Sequence, residues 1–368
     1  MKFDIFREDL QAELASVGVA RDGRGSAGIY KGILFDINGG RLKLAASNPE
    51  YSITKELDLN MGYCGEDFAF VVDGEFVKII DKLDGDKVAI ELLPENVVEI
   101  KCGKFKCKQS VIPAEQYIIK KVEGECIGEQ KFKAETLADM IESTVYACAL
   151  LGSDNNVVRT GIKITATSGK AEVIALDGYR IAIATGEYYG DIDIIISGKM
   201  LKETAKLMSG EVEIKQYSNN YVIESNGYVI TASVLEGVYP DWHMIAPKNI
   251  TGAFKVDRIQ FLKAVERLST ISKEKKKAFV FESKDGRLTI SVNTPNNSGS
   301  EEISIESEKD IANIRTGLSC TYMIDVLKSL QEDKIVVEFE SAIRPFMISN
   351  EVGDRVHIVF PVRIREGV

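Results

Sequence analysis

The feature that most constrains the fold of this chain is a repeat whose period is the length of a small domain. The segments FVKIIDKL from Phe76, MLKETAKL from Met200 and MIDVLKSL from Met323 stand 124 and 123 residues apart. Each has apolar residues at helical spacing and ends in a leucine (Leu83, Leu207, Leu330). Each is followed by a polar turn and a β-prone run: KVAIEL, EVEIKQY and KIVVEF. A second set, GGRLKLAAS, SGKAEVIAL and DGRLTISVN, puts a glycine turn (Gly40, Gly169, Gly286) before a strand. A third set opens each copy: FDIFREDLQAEL from Phe3, FKAETLADMIES from Phe132 and FKVDRIQFLKAV from Phe254. In the last of these, Ile259, Leu262, Val265 and Leu268 recur at helical period. Each copy is therefore expected to run helix, strands, helix, strands, with turns at Asn38-Gly39, Asn226-Gly227 and Asp285-Gly286.

The expected fold class is α+β: three copies of a two-helix plus antiparallel-sheet domain, at residues 1–124, 125–249 and 250–368. At roughly 120 residues, each copy is long enough to bury its own core.

Charge then bounds function. The net charge is −10, and no third of the chain is net positive. A protein this acidic does not coat nucleic acid, so any such contact needs a local basic face. The six cysteines are scattered and only His243 and His357 supply imidazoles, so no zinc spacing is present. Free thiols in a reducing cytoplasm, with no metal and no cofactor, are expected. No apolar run has membrane-spanning length, and the first residues lack a signal-peptide pattern. The run GRGSAG (23–28) has dinucleotide-fingerprint spacing, but it follows a helix and precedes a strand, the reverse of what that fingerprint needs. No Walker, HExxH, GxSxG or kinase set occurs, so a binding or scaffold protein is expected rather than an enzyme.

Two features remain. In ALDGYRIA (175–182), Asp177-Gly178 reads as a turn, after which Tyr179, Arg180 and Ile181 re-enter a strand. By itself this is a hairpin turn, and only convergence with other segments would make it a site. The second feature is a set of lysines. Lys78 and Lys82 sit two and six residues into the first of the matched helices, and Lys202 and Lys206 take the same offsets in the second. The third departs, with Asp325 at the first offset and Lys328 near the second. Lys263 and Arg267 also share a helix face, being four apart. Solvated outer faces account for any single pair. Repeats arranged around an axis would gather them into a basic channel suited to phosphate contact without base readout.

Four segments in order, ALDGYRIA (175–182), EGVYPDW (236–242), the Asn293-Thr-Pro295 turn leading into SEEISIE, and IVFPVRI (358–364), resemble the bacterial sliding clamp family, the β subunit of DNA polymerase III. The resemblance spans the whole chain. It implies a non-catalytic head-to-tail homodimer whose six domains close a ring around double-stranded DNA, held topologically. Implied partners are the polymerase III catalytic subunit, the clamp loader and other proteins carrying a QL[SD]LF-like motif.

The family's peptide pocket maps here to Leu176, Gly178, Tyr179, Arg180 and Ile181, then Pro240, Met244 and Ile245, then Tyr322, Ile343 and Pro345. Val359, Phe360, Pro361, Val362, Arg363 and Ile364 complete it. Apolar walls would take a peptide's Leu or Phe anchors, and Arg180 or Arg363 would bind carboxylate or backbone oxygens. For DNA, the resemblance adds Arg24 to Lys78, Lys82, Lys202, Lys206, Lys263 and Arg267. At the dimer interface, the basic run KCGKFKCKQSV, with Lys104, Phe105, Lys106, Cys107 and Lys108, is expected to meet Glu301 and Glu302, beside Leu268 and Ile271. Charge blunting of a lone edge strand is the competing account. Arg159, Met244 and Lys276, and the extension Arg365 to Val368, depart from the family pattern. A diverged ring-forming paralogue, or a nucleic-acid enzyme working through Asp177 and Arg180, are the alternatives.

Overall fold

The structure is a computed structural model that describes all residues except 23–27, 60–62, 64, 123, 153–155, 168, 189, 272–277, 285–286, 308–312 and 365–368. Arg24, most of the GRGSAG run, Lys276, the Asp285-Gly286 turn and the extension after Ile364 lie outside the described residues.

Among the described residues there are six α-helices, two for each copy of the repeat: α1 (Arg7–Val17), α2 (Gly74–Asp81), α3 (Ala134–Thr144), α4 (Gly198–Thr204), α5 (Arg258–Ile271) and α6 (Cys320–Ser329). The repeat is visible in single hydrogen bonds. The first amide of α1 donates from Arg7 to the Asp86 carbonyl at 2.9 Å, that of α3 from Ala134 to Gly210 at 2.9 Å, and that of α5 from Arg258 to Asp333 at 2.8 Å. An orphan helix N–H is thus satisfied in the same way three times. In each case the preceding strand pairs antiparallel with the strand after the second helix: Phe6 opposite Lys87, Lys133 opposite Glu211, Asp257 opposite Lys334.

Those preceding strands differ from the expectation that each copy opens on a helix. Phe3, Phe132 and Phe254 lie in strands Lys2–Phe6, Gly128–Lys133 and Gly252–Asp257. The reason is local. Phe3 and Ile5, like Phe254 and Val256, are buried at every second residue, a two-residue period that a pleated strand satisfies and a helix does not.

The chain divides into two compact units. One holds Met1–Glu135 and Glu203–Val234; the other holds Thr136–Lys202 and Leu235–Val368. The expected thirds are units of sequence repetition, whereas compactness groups residues by shared sheet. In the first unit, a nine-stranded antiparallel sheet joins Tyr228–Ser233 to Tyr51–Asp58, with Ile230 opposite Ile53. A four-stranded sheet ends on the edge strand Phe105–Ser110. The core of this unit includes Phe35 stacked on Phe70 (5.1 Å) with Phe76 edge-on (5.4 Å). Such pairs add roughly 0.5–1.5 kcal/mol each beyond area burial. Asp73 caps α2, its carboxylate accepting from the amides of Glu75 (2.9 Å) and Phe76 (3.1 Å).

The second unit repeats the plan. Its nine-stranded sheet joins Arg180–Glu187 to Arg355–Val359, with Ile181 opposite Ile358. Its four-stranded sheet ends on the edge strand Ser298–Ile303. Phe254, Phe281, Phe339 and Phe346 fill its core beneath α5 and α6. Gly252 is required there, because a Cβ would sit 2.2 Å from the Phe339 ring.

Candidate partner-binding site

Within the second unit, the ALDGYRIA stretch forms a tight turn between strands Lys170–Leu176 and Arg180–Glu187. Gly178 adopts φ of 89°, a conformation that favours glycine. Asp177 closes the turn: one carboxylate oxygen accepts from the amides of Tyr179 (2.9 Å) and Arg180 (3.1 Å), and the other from Arg180 Nε (2.9 Å). Both oxygens are therefore committed within the chain, so the carboxylate is a poor candidate for metal-dependent catalysis.

The C-terminal segment lies against this turn. Arg180 pairs with Val359, and the Phe360 amide donates to the Tyr179 carbonyl at 3.0 Å. Val362 then donates to the Gly317 carbonyl at 2.8 Å. Gly317 is small for that purpose, since a Cβ would meet the Val362 carbonyl oxygen at 2.6 Å. Thr316 Oγ1 donates to the Ala342 carbonyl at 2.6 Å, which holds the loop carrying Ile343 beside the same strand end.

The predicted pocket residues divide into two groups. Leu176 and Ile181 are buried in one apolar cluster with Ile174, Ile183 and Ile358, against which Ile245 and Phe360 pack half-buried. Val359 and Pro345 are buried too. These residues are the inward-facing group. The exposed group is Tyr179 (58%), Met244 (72%) and Ile343 (85%), together with Gly178 and Arg363. Pro240, Tyr322, Pro361, Val362 and Ile364 are half-buried beside them. Tyr179 and Tyr322 stack with ring centroids 6.3 Å apart. Large apolar side chains that stay exposed are the informative ones.

Arg180 departs from its expected role. Its side chain is buried, and three of its five N–H groups face partners within the chain. Besides Asp177, its Nη1 donates to Asp325 and its Nη2 to the Tyr146 carbonyl at 2.9 Å. The guanidinium carbon lies 4.6 Å from the Tyr322 ring centroid and 5.1 Å from that of Tyr146. Burial works against its charge, but the hydrogen bond to Asp325 and the two carboxylates outweigh that and hold its pKa above the ordinary value. Arg180 thus spends these hydrogen bonds within the chain as an internal clamp, whereas Arg363 stays exposed. Asp325 and Tyr146 were not expected at the site. The break at Asp325 in the lysine repeat was the signal that pointed to one of them.

Behind the clamp, Tyr146 hydrogen-bonds His357 Nδ1 at 2.8 Å. His357 is fully buried, and its Nε2 has no hydrogen-bond partner. Burial, with Arg355 nearby, depresses its pKa from 6.5 to about 3, so it is neutral near neutral pH.

Three family profiles match the chain in succession: the N-terminal domain of the DNA polymerase III beta subunit at residues 1–119, the central domain at 131–241 and the C-terminal domain at 243–363. The chain belongs to the DNA polymerase III beta subunit family. It is 24% identical to the beta sliding clamp of Vibrio cholerae over 99% of this chain and 100% of that one. A DNA polymerase sliding clamp from Bacillus subtilis superposes with a TM-score of 0.89 at 24% identity, covering 99% of this chain and 100% of that chain. The beta subunit of a Streptococcus pyogenes DNA polymerase superposes with a TM-score of 0.90 at 20% identity and the same coverage. The three-domain clamp fold is therefore that of the chain.

The remaining expected residues of this family member are placed as follows. Lys78, Lys82, Lys202, Lys206, Lys263 and Arg267 are all exposed. Lys206 lies just past α4, in the short turn Ala205–Leu207. Two of the six are partly neutralised: Lys78 pairs with Glu75 at 3.7 Å, and Arg267 pairs with Glu301 through two hydrogen bonds. The run KCGKFKCKQSV forms a hairpin rather than one strand, turning at Gly103 (φ 56°). Lys106, Cys107 and Lys108 stand on its edge strand with Phe105, which is 44% exposed. Lys104 is in the turn, exposed. Glu99, buried on the neighbouring strand, is in reach of Lys101, Lys106 (3.0 Å) and Lys108 (4.0 Å). Hydrogen bonds from Lys101 and Lys106 hold its carboxyl below the usual range. In the second unit, Glu301 and Glu302 stand on the edge strand Ser298–Ile303, and Leu268 and Ile271 pack near its Gly299.

Proposed function

We propose that this chain is a DNA sliding clamp, a non-catalytic processivity factor. It closes as a homodimer into a six-domain ring around double-stranded DNA, built from clamp domains at 1–124, 125–249 and 250–368. It tethers the polymerase III catalytic subunit, the clamp loader and other motif-bearing proteins in the cytoplasm. The observation that carries this reading is the succession of three beta-subunit domains from residue 1 to residue 363.

The partner site is the exposed rim of Tyr179, Met244, Ile343 and Arg363 over the apolar floor of Leu176, Ile181, Ile245 and Phe360. A short linear peptide buries a Leu or Phe anchor there, and the exposed guanidinium of Arg363 binds its backbone or carboxylate oxygens. Lys82, Lys202, Lys206 and Lys263, which have no ion-pair partner among the described residues, give weak, mobile phosphate contacts that allow sliding. Ring closure pairs the edge strand Phe105–Ser110 of one copy with the edge strand Ser298–Ile303 of another, which removes two sheet edges at once.

Titration with a QLSLF peptide tests the site. Binding by the full chain, lost when the chain is truncated after Val359, is expected. Retention on closed circular DNA with run-off from linear DNA tests the ring. A protein that binds no peptide yet is retained on circles is a ring-forming paralogue without these partners; failure of both measurements overturns the clamp reading.

A further inference from the structure

Helices α2, α4 and α6 are equivalent by repeat, and their third matched positions are Lys78, Lys202 and Asp325. The first two are exposed lysines. The third is an aspartate turned onto the buried guanidinium of Arg180. One side chain, Arg180, thereby ties three segments of the second unit together: the Asp177–Arg180 turn, the 3₁₀ turn Val145–Ala147 through the Tyr146 carbonyl, and α6 through Asp325. Tyr322 lies one helical turn before Asp325 on the same face of α6, so the ion pair fixes that face toward the Asp177–Arg180 turn. The guanidinium lies 4.6 Å from the Tyr322 ring centroid, and the Tyr322 ring stacks on Tyr179, an exposed member of the rim.

We propose that Asp325 is a positioning residue of the partner site: it keeps the Arg180 cation inside the chain, sets the Tyr322–Tyr179 pair, and biases the site toward peptides without an acidic residue at their centre. This rests on the clamp reading given above.

The physical case is one of charge count and geometry. Arg180 faces two carboxylates, Asp177 and Asp325, so these three side chains sum to −1, with the Arg159 guanidinium beside Gly178 of the same turn. An acidic peptide residue brought to this side of the rim meets the second carboxylate, and the Arg180 N–H groups that face Asp177, Asp325 and the Tyr146 carbonyl are not available to it. Neutralising Asp325 removes that carboxylate and frees the Nη1 donor that faced it. A buried Arg that loses one partner is poorly satisfied, so it turns toward whatever anion is offered.

The experiment compares QLSLF and QLDLF peptides, measured by calorimetry on the full-length wild type and on Asp325→Asn, Asp325→Ala and Asp325→Glu variants. Thermal melting checks that each is folded. Wild type is expected to prefer QLSLF. Asp325→Asn and Asp325→Ala are expected to shift the affinity ratio toward QLDLF by about fivefold, the size of one partly screened charge interaction. Asp325→Glu is expected to keep the wild-type ratio, a rescue that a purely structural role for the side chain would not produce. A crystal structure of ligand-free Asp325→Asn supplies a readout that needs no peptide, namely whether Tyr322 leaves Tyr179. If wild type binds neither peptide while the ring pair moves in the variant, the peptide-site reading fails and the positioning of the Tyr322–Tyr179 pair by Asp325 stands. If the ratio and the ring pair are both unchanged in Asp325→Asn, the proposal is overturned.

Discussion

His357 is the residue with the clearest consequence for solution behaviour. It is buried with a hydrogen bond to Tyr146 and is held neutral by burial, its pKa falling from 6.5 to about 3. A group whose folded pKa is depressed binds fewer protons folded than unfolded between those two values. Its contribution to stability is therefore complete above about pH 6.5 and is lost progressively as pH falls toward 3. Replacing His357 with Gln is expected to flatten the fall of melting temperature across that window, measured by thermal melts at successive pH values; an unchanged slope would assign the acid sensitivity to other groups. Gly317 is the second informative residue. A Cβ there meets the Val362 carbonyl oxygen at 2.6 Å, and that oxygen belongs to backbone that cannot swing aside like a side chain. Gly317→Ala is expected to unseat Val362 and weaken QLSLF binding about tenfold or more, while costing about 1–3 kcal/mol of stability as an overpacked contact. Full-strength binding by a folded Gly317→Ala protein would contradict that.

At the scale of elements, the two exposed edge strands make the sharpest prediction. Phe105–Ser110 presents lysines, and Ser298–Ile303 presents Glu301 and Glu302. Each is a row of unpaired backbone groups, the kind of edge that proteins either blunt or pair. Glu99 neutralises part of the basic edge from below, through Lys106 at 3.0 Å and Lys108 at 4.0 Å, and Arg267 does the same for Glu301. The edges are therefore less strongly charged than their sequences imply, and apolar contact through Phe105 carries more of any pairing. The double variant Lys104→Glu/Lys106→Glu is expected to weaken dimerisation several-fold at low salt, with the effect shrinking as salt rises. Analytical ultracentrifugation at two ionic strengths checks this; equal dimer constants for variant and wild type would favour edge blunting.

For the whole molecule, the prediction concerns DNA. With a net charge of −10, a hold on DNA under the proposed clamp reading rests on local lysines and on closure of the ring. Changing Lys82, Lys202, Lys206 and Lys263 together to Ala is expected to shorten residence on linear DNA. It should also lower the salt slope of that residence by up to about one unit per lysine, while leaving retention on closed circles largely intact. Residence unchanged at every salt concentration would remove these lysines from the DNA-facing surface. Arg267 is left out of the set because Glu301 already holds it.

The threefold repeat and the α+β class were legible in the sequence because they rest on periodicity, which is local. Helix faces repeat every 3.6 residues, strands every two, and the equivalent segments recur about every 124 residues, so the hydrogen bonds from Arg7, Ala134 and Arg258 follow from the pattern. The turn at Asp177-Gly178 was legible for the same reason, since its chemistry lies within four residues. What the sequence could not decide depended on residues far apart in the chain. Arg180 reads as a free cation when only its neighbours are known; Asp325, 145 residues on, and the Tyr146 carbonyl take it out of play. Leu176 and Ile181 read as pocket wall from the resemblance, and only the structure shows that they are buried, because Ile358 packs with them from another strand of the same sheet. The grouping into two compact units likewise follows from pairings such as Tyr228–Ser233 with Tyr51–Asp58, which no local pattern encodes. Periodicity fixes which faces are apolar, but only tertiary packing decides which charges are spent on one another and which are left for a partner.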